Sequence, residues 1–384
     1  MKGNFPIEKF RELTTPFYYY NTQVLRDTLE LVKAESGRYN YHVHYAVKAN
    51  ANPRILAIIK EYGLGADCVS GGEIQAALDA GFSPDKIVFA GVGKADWEIN
   101  LGLDNNIFCF NAESIPEVEI INELAATKGK TAAVALRINP EVDAHTHHYI
   151  TTGLKENKFG INLSQLDRVL DVVEKLSNIK LVGIHFHIGS QITDLTAFQA
   201  SCSRMTEVLE HFGRRQISVE NINFGGGFGI DYEHPNTQPI PAFKEYFELF
   251  NKHFKAQPGQ QIHFEPGRSI VGQCGSLITK VLYVKEGSSK KFAIVDAGFT
   301  ELIRPALYEA FHKIENITSD AGTDTYDVVG PICESSDCFG KAIDLNQVSR
   351  GDLIALRSAG AYGEIMASQY NCRKLPQSYF SDLI

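Results

Sequence analysis

The sequence predicts an α/β protein, a parallel (β/α)8 barrel of the TIM type followed by a second domain made mainly of strands. Two observations carry the barrel. From about residue 40 to 270 a short β-rich run is followed by an amphipathic helical stretch, and this unit recurs eight times. Eight such units in roughly 230 residues is the length of a closed (β/α)8 barrel. A third observation marks the second domain: beyond residue 270 strand patterns follow one another without long helices between them.

The predicted barrel strands are, in order, YHVHYAVKAN, GADCVS, KIVFAG, IFCFN, AAVALRINP, KLVGIHFHIG, VENINFGGG and QIHFEPGRS. Between them the helical pattern is periodic, as where Leu163, Leu166, Val169, Leu170, Val173 and Leu176 fall on one face. The rival architecture, an open doubly wound sheet, lacks its G-x-G-x-x-G turn after the first strand. After the barrel come SLITKVLYVKEG and KKFAIVDAGF, joined by a tight EGSSKK turn, then TYDVVGPI and DLIALRSAG. The aromatic run TPFYYYN near the start is β-prone and is expected to add a strand to this second domain. The expected domains are therefore 25–270, a cofactor-binding barrel, and 271–384 with 1–24, a β domain contributing to the substrate site and a dimer interface.

Composition narrows the function. The chain has 384 residues, with 37 Lys and Arg against 46 Asp and Glu for a formal charge of −9. Basic stretches interleaved with aromatics are missing, so small molecules rather than nucleic acid are the expected ligands. MKGNFPIEKF carries no apolar run of signal-peptide length, and no segment reaches the roughly 20 apolar residues of a membrane span. The expected location is the cytoplasm. Seven cysteines without a C-x-x-C pair fit free thiols rather than a disulfide framework.

Unusual polar residues collect at the strand ends: Lys48, Ser70, Asn111, Arg137, His187, the glycines 225 to 227, and Glu265. In a barrel these positions converge. Lys48 follows half-buried strand residues, and a desolvated amine is a better nucleophile for imine formation. NFGGGFG lets backbone N–H groups approach an anion such as a phosphate, and without a G-K-[ST] it is no P-loop. Glu265, among apolar neighbours, needs a partner, either Arg268 in a structural pair or a protonated ring nitrogen. Pyridoxal phosphate offers that nitrogen, and a facing carboxylate keeps it protonated so that the ring can accept electrons. The histidine-rich runs HTHH (145–148) and HFH (185–187) leave a zinc reading open, although H-x-H would then be expected on the first strand and here falls on the sixth, with a Gly-Ser pair next. A flat His187 against a cofactor ring uses the same position.

These motifs resemble the fold-type III pyridoxal-phosphate decarboxylases over nearly the whole chain. YAVKAN looks like their Schiff-base motif, HFHIGSQ their ring-stacking motif, GGGFG their phosphate loop and EPGR their pyridinium-binding segment, with CESSD and AGAYG completing the set. DAHTHHYITTGLKENKFG, DAGFTELIRPALYEAFH and AGAYGEIMASQYN are similar to segments of the diaminopimelate decarboxylase branch. The resemblance implies removal of a carboxylate from the D-centre of meso-2,6-diaminopimelate to give L-lysine and CO2. It implies cofactor binding by Lys48, Asp67, Arg137, His187, Ser190, Gly226, Gly227, Glu265, Pro266, Gly267, Arg268 and Tyr362. Arg268, Arg304 and Tyr308 would bind the distal end of the substrate, Glu334 its distal ammonium, and Tyr362 would also line that site. The implied catalytic residues are Lys48, His187, Glu265 and Cys333, the cysteine entering from the second subunit of a homodimer as proton donor. Two arginines suit a second carboxylate, which ornithine lacks.

The sequence departs from the branch in being slightly short and in carrying GVGKADWEIN where relatives often have an Asn-Lys-Ser run. Rival readings are a carboxynorspermidine or other polyamine-pathway decarboxylase, and a non-catalytic regulator that keeps the barrel. Retention of both Lys48 and Cys333 weighs against the regulator.

Overall fold

A computed structural model of the chain describes residues 3–142 and 158–384. The HTHH run and most of DAHTHHYITTGLKENKFG lie outside the described residues. Contacts divide the chain into two compact units, one of Leu29–Gly229 with Ala242–Gly267, the other of Met1–Thr28, Ile230–Pro241 and Arg268–Ile384. The segment Ile230–Pro241, inside the span read as barrel, thus counts with the strand-rich unit.

The first unit is a closed parallel barrel. Its strands are β1 (His42–Ala46), β2 (Gly65–Cys68), β3 (Ile87–Phe89), β4 (Cys109–Ala112), β5 (Ala132–Asn139), β6 (Ile179–His185), β7 (Asn221–Asn223) and β8 (Gln261–Phe264). Each pairs with the next, β5 also takes the two-residue strand Ile161–Asn162, and β8 closes on β1 with His263 opposite His42. All eight fall on the predicted runs, most of them trimmed at the loop residues, with Ala112 and Ile179 each one residue outside.

Local chemistry sets the helices between the strands. Asn52 caps the helix Pro53–Glu61, with proline at its first position where no N–H is needed. Ser70, singled out as a strand-end candidate, accepts from the Glu73 N–H and caps Gly71–Asp79, so its hydroxyl serves the helix start. In Phe243–His253 the buried Phe243, Tyr246, Phe247 and Phe250 recur at helical spacing. They meet the outward faces of β7 and β8, where Phe250 packs 4.7 Å from Phe264 and 4.8 Å from Phe224 between ring centroids. The predicted helix from residue 163 is a short turn, Leu163–Gln165, followed by Leu166–Val173.

The second unit is an antiparallel-rich sheet in the order Ile314–Asn316, Leu353–Leu356, Gly275–Glu286, Lys291–Val295, Thr323–Val329, Cys338–Asn346. Phe17–Tyr20 joins it, as expected of the TPFYYYN run, beside Gly275–Glu286, and it also pairs in parallel with Gln377–Phe380. Three strands went unread: Ile314–Asn316, Cys338–Asn346 and Gln377–Phe380. Two are only three or four residues long. The third buries only Phe339 and Leu345 and so lacks a clean apolar alternation. Phe10, Phe17, Tyr19, Ile278, Leu353 and Ala355 form this unit's apolar centre. Among the described residues no helix is long and apolar enough to cross a membrane.

Candidate active site

Within the barrel the strand-end residues converge on Glu265. It follows β8, is buried, and takes three hydrogen-bonding groups from three other strands, β7, β4 and β6. Asn223 Nδ2 donates to Oε1 at 2.6 Å, Asn111 Nδ2 to the same oxygen at 3.3 Å, and His185 Nε2 meets Oε2 at 2.8 Å. Burial by itself would raise this carboxyl, but His185, followed by Lys48 and His44, overcomes it and holds Glu265 well below the usual carboxylate range. Glu265 is therefore an anion at neutral pH. The structural pairing with Arg268 is not what satisfies it: His185 and the two asparagines do, and Arg268 donates to Tyr232 Oη at 2.6 Å. Asn223 and the role of His185 were missed, because an Asn or His on an inward strand position gives no sequence signal of its partner.

Lys48 lies two residues past β1, in the helical turn Val47–Ala49, its side chain 35% exposed and its Nζ 3.4 Å from Asp67 Oδ2. Asp67, on β2, is buried. Desolvation and then Glu265 push its carboxyl up to about 6 against the pull of Lys48. His187 is half-buried, and the Gly226 N–H is directed at its Nδ1 at 3.3 Å, which places the ring proton on Nε2. Burial, then Arg137 and Lys48, hold this imidazole well below its usual range, so it is neutral. Gly226 cannot carry a side chain: a Cβ there would strike the carbonyl oxygen of Glu265. Arg137, near the end of β5, makes a 2.7 Å ion pair with buried Glu113, which also accepts the N–H groups of Gly91 and Gly160. Glu113 was not read as a site residue. Ser190, Pro266 and Gly267 lie in the loops after β6 and β8.

The strand-rich unit holds its own cationic cluster. Arg268 and Arg304 are both buried, and Arg268 lies over the Tyr362 ring at 4.9 Å. Arg304 is 5.8 Å from the Tyr232 ring and 6.0 Å from that of Tyr362. Its Nε donates to His312 Nε2 at 3.3 Å while His312 Nδ1 donates to the Arg357 carbonyl. Burial and Arg304 together lower that imidazole to about 3, so it acts as a neutral acceptor. Tyr362 has a left-handed backbone, φ +56°, which sets its ring direction at some local strain. Tyr308 ends the helix that Arg304 begins. Tyr232 and His312 were missed in sequence.

Cys333 and Glu334 are exposed on a turn organised by buried Asp337, whose carboxylate accepts the N–H groups of Phe299 and Ile332 at 2.7 Å each. Tyr370 Oη donates to Glu334 at 2.8 Å.

The barrel residues fit pyridoxal phosphate. Asp67 Oδ1 and His185 Nδ1 are buried with no hydrogen-bond partner among the described residues, near an amine that can form an imine and an anion that can receive a ring N–H. His185 of the HFH run is hydrogen-bonded to Glu265.

Comparison with known proteins agrees. Residues 23–272 match the family of the pyridoxal-dependent decarboxylase, pyridoxal binding domain. The chain is 67% identical to a diaminopimelate decarboxylase of Bacteroides thetaiotaomicron over 383 residues, 100% of this chain and 99% of the relative. A diaminopimelate decarboxylase of Neisseria meningitidis serogroup B is 44% identical, with 94% of this chain and 86% of that one covered. Among solved structures, diaminopimelate decarboxylase from Helicobacter pylori complexed with L-lysine superposes with a TM-score of 0.89 at 40% identity, covering 97% and 93% of the two chains. The M. jannaschii enzyme in co-complex with L-lysine gives 0.90 at 35% identity, over 98% and 89%.

Proposed function

Since the chain belongs to the pyridoxal-dependent decarboxylases, in their diaminopimelate branch, we propose a division of labour among its residues for that reaction. The enzyme removes a carboxylate from meso-2,6-diaminopimelate to give L-lysine and CO2, and pyridoxal phosphate is its cofactor. The cofactor supplies the electron sink for the pair left when the Cα–carboxylate bond breaks. What carries our assignment is a buried glutamate held anionic, Glu265, in the same barrel as an amine beside a carboxylate, Lys48 with Asp67.

Lys48 holds the cofactor covalently. Glu265 accepts the ring N–H and keeps its proton in place, and the Asn223, Asn111 and His185 contacts stop the carboxylate from turning away. His187, neutral, offers a flat face, with Asp67, Arg137, Ser190, Gly226, Gly227, Pro266, Gly267 and Tyr362 completing the cofactor site. Arg268, Arg304 and Tyr308 orient the distal carboxylate, and Glu334 the distal ammonium. A buried guanidinium gains most from a planar anion it can grip with two N–H groups, which a dicarboxylic substrate provides. Cys333 gives the proton to the substrate carbon after CO2 departs, from the second subunit of a homodimer. Its exposure on this chain suits a residue offered to a partner. The reading also places the enzyme in the cytoplasm.

The deciding experiment measures CO2 released from meso-diaminopimelate, ornithine, arginine and carboxynorspermidine by the purified protein. Release from diaminopimelate far above the other three supports the reading. Preference for carboxynorspermidine, or no release at all, overturns it.

A further inference from the structure

The opposite, N-terminal end of the barrel carries a titratable cluster that decarboxylation does not use. His44 of β1 and His263 of β8 sit there, both buried, with ring centroids 5.3 Å apart and ring planes 25° from parallel. They border a cleft of about 420 Å³. A chain of three hydrogen bonds runs through them. His44 Nδ1 lies 3.0 Å from the Lys86 carbonyl oxygen, His44 Nε2 lies 3.0 Å from His263 Nδ1, and His263 Nε2 lies 3.1 Å from Asn221 Oδ1.

The protons in this chain can be counted. The Lys86 carbonyl only accepts, so His44 Nδ1 must carry hydrogen. Asn221 Oδ1 also only accepts, so His263 Nε2 must carry hydrogen too. The amide is oriented by its other end, since Asn221 Nδ2 donates to the Val182 carbonyl at 3.1 Å. Inverting it would set two oxygens against each other there. The inner contact then needs a third hydrogen, on one of the two facing nitrogens. Two neutral imidazoles supply only two.

We propose that His44 and His263 form a binding site for one additional proton, shared between their facing nitrogens, so that the pair carries a single positive charge. The surroundings both oppose and favour it. Burial works against a charge on either ring, as do His42, stacked 4.9 Å from His263, and Lys86. Glu265, two residues after His263 and just past the end of β8, favours it. Lys33, Asp85, Tyr41 and Tyr62 complete the titratable lining of the cleft, through which the proton exchanges. The backbone is shaped for the arrangement. Gly65 on β2 stands where a Cβ would strike both His44 Nδ1 and the Lys86 oxygen, so only glycine leaves room for the first bond. The charge on the pair in turn favours the anionic state of Glu265 at the other end of the interior.

The test reads protons directly and is independent of turnover. The holoenzyme labelled with 15N-histidine, at about pH 7.5 where an ordinary imidazole is neutral, is examined by long-range 15N–1H correlation, with His44→Gln and His263→Gln for assignment. The outer nitrogens, His44 Nδ1 and His263 Nε2, should both be protonated, and the inner two should average a shared hydrogen. An unprotonated His263 Nε2, meaning two neutral rings and an inverted Asn221, overturns the proposal. Asn221→Ala removes the acceptor that demands the third hydrogen, so the pKa of the shared proton should fall by at least about one unit, a tenfold weaker hold. An unchanged titration in that variant also overturns it. Should the variants not fold, neutron diffraction of the wild-type crystal counts the same hydrogens.

Discussion

His185 Nε2 stands 2.8 Å from Glu265 Oε2, with both side chains buried inside the barrel. The contact fixes one carboxylate oxygen and, with Asn223 and Asn111 on the other, leaves the group rigid and charged. Glu265→Gln keeps the shape but removes the charge that would hold a ring proton. The variant should retain cofactor yet turn over several orders of magnitude more slowly, by analogy with other sites where a required charge is neutralised. Cofactor content by absorbance and kcat by CO2 release measure the two separately. Near-native kcat would mean that Glu265 does not govern ring protonation.

Lys48 should carry the cofactor. The purified protein is then yellow, borohydride bleaches the visible band, and Lys48→Ala lacks it. Peptide mapping after reduction identifies the modified lysine, and a pyridoxyl group on any other lysine would disprove the assignment.

Substrate choice should follow Arg268 and Arg304. Both are buried, so a substrate lacking the distal carboxylate leaves them uncompensated, a cost on the order of 2–5 kcal/mol. Ornithine and lysine should therefore show kcat/KM lower than diaminopimelate by a factor of about 30 or more. Arg304→Met should lose most of its activity toward diaminopimelate and narrow that gap. If ornithine and diaminopimelate were turned over alike by the wild type, the arginines would not be the selector.

Asp67 gives a pH signature. Burial raises its carboxyl to about 6, from an ordinary value near 4. Between those values the folded, cofactor-free chain keeps a proton that the unfolded chain has released. The associated stability is complete below about pH 4 and disappears as the pH rises through about 6. Asp67→Asn does not ionise, so from pH 4 to 8 it should gain about 1–3 kcal/mol relative to wild type. Denaturant unfolding of both cofactor-free proteins checks this. Parallel pH profiles would refute it.

Cys333 should act across the dimer. Co-expressed Lys48→Ala and Cys333→Ala chains form about half mixed dimers at random, each with one intact site, so activity near a quarter of wild type is expected. Purified mixed dimers no more active than either variant alone would return Cys333 to its own chain's site.

The barrel was legible because its signal is periodic and local: β-rich runs alternate with amphipathic helices, and all eight strands fell where that pattern put them. The placement of Lys48, His187 and Glu265 just past the ends of barrel strands was legible too, since each follows a readable β-rich run. Tertiary structure alone decided the partners. It gave Glu265 to His185, Asn223 and Asn111, whose nearest in sequence is 42 residues away. It assigned Ser70 to a helix cap, and it brought Tyr232 and His312 to Arg304. Periodicity follows from backbone geometry and the hydrophobic effect, which act within a few residues of each position. Hydrogen-bond partnership inside a closed barrel depends on strand register around the ring, and no local stretch of sequence contains that information.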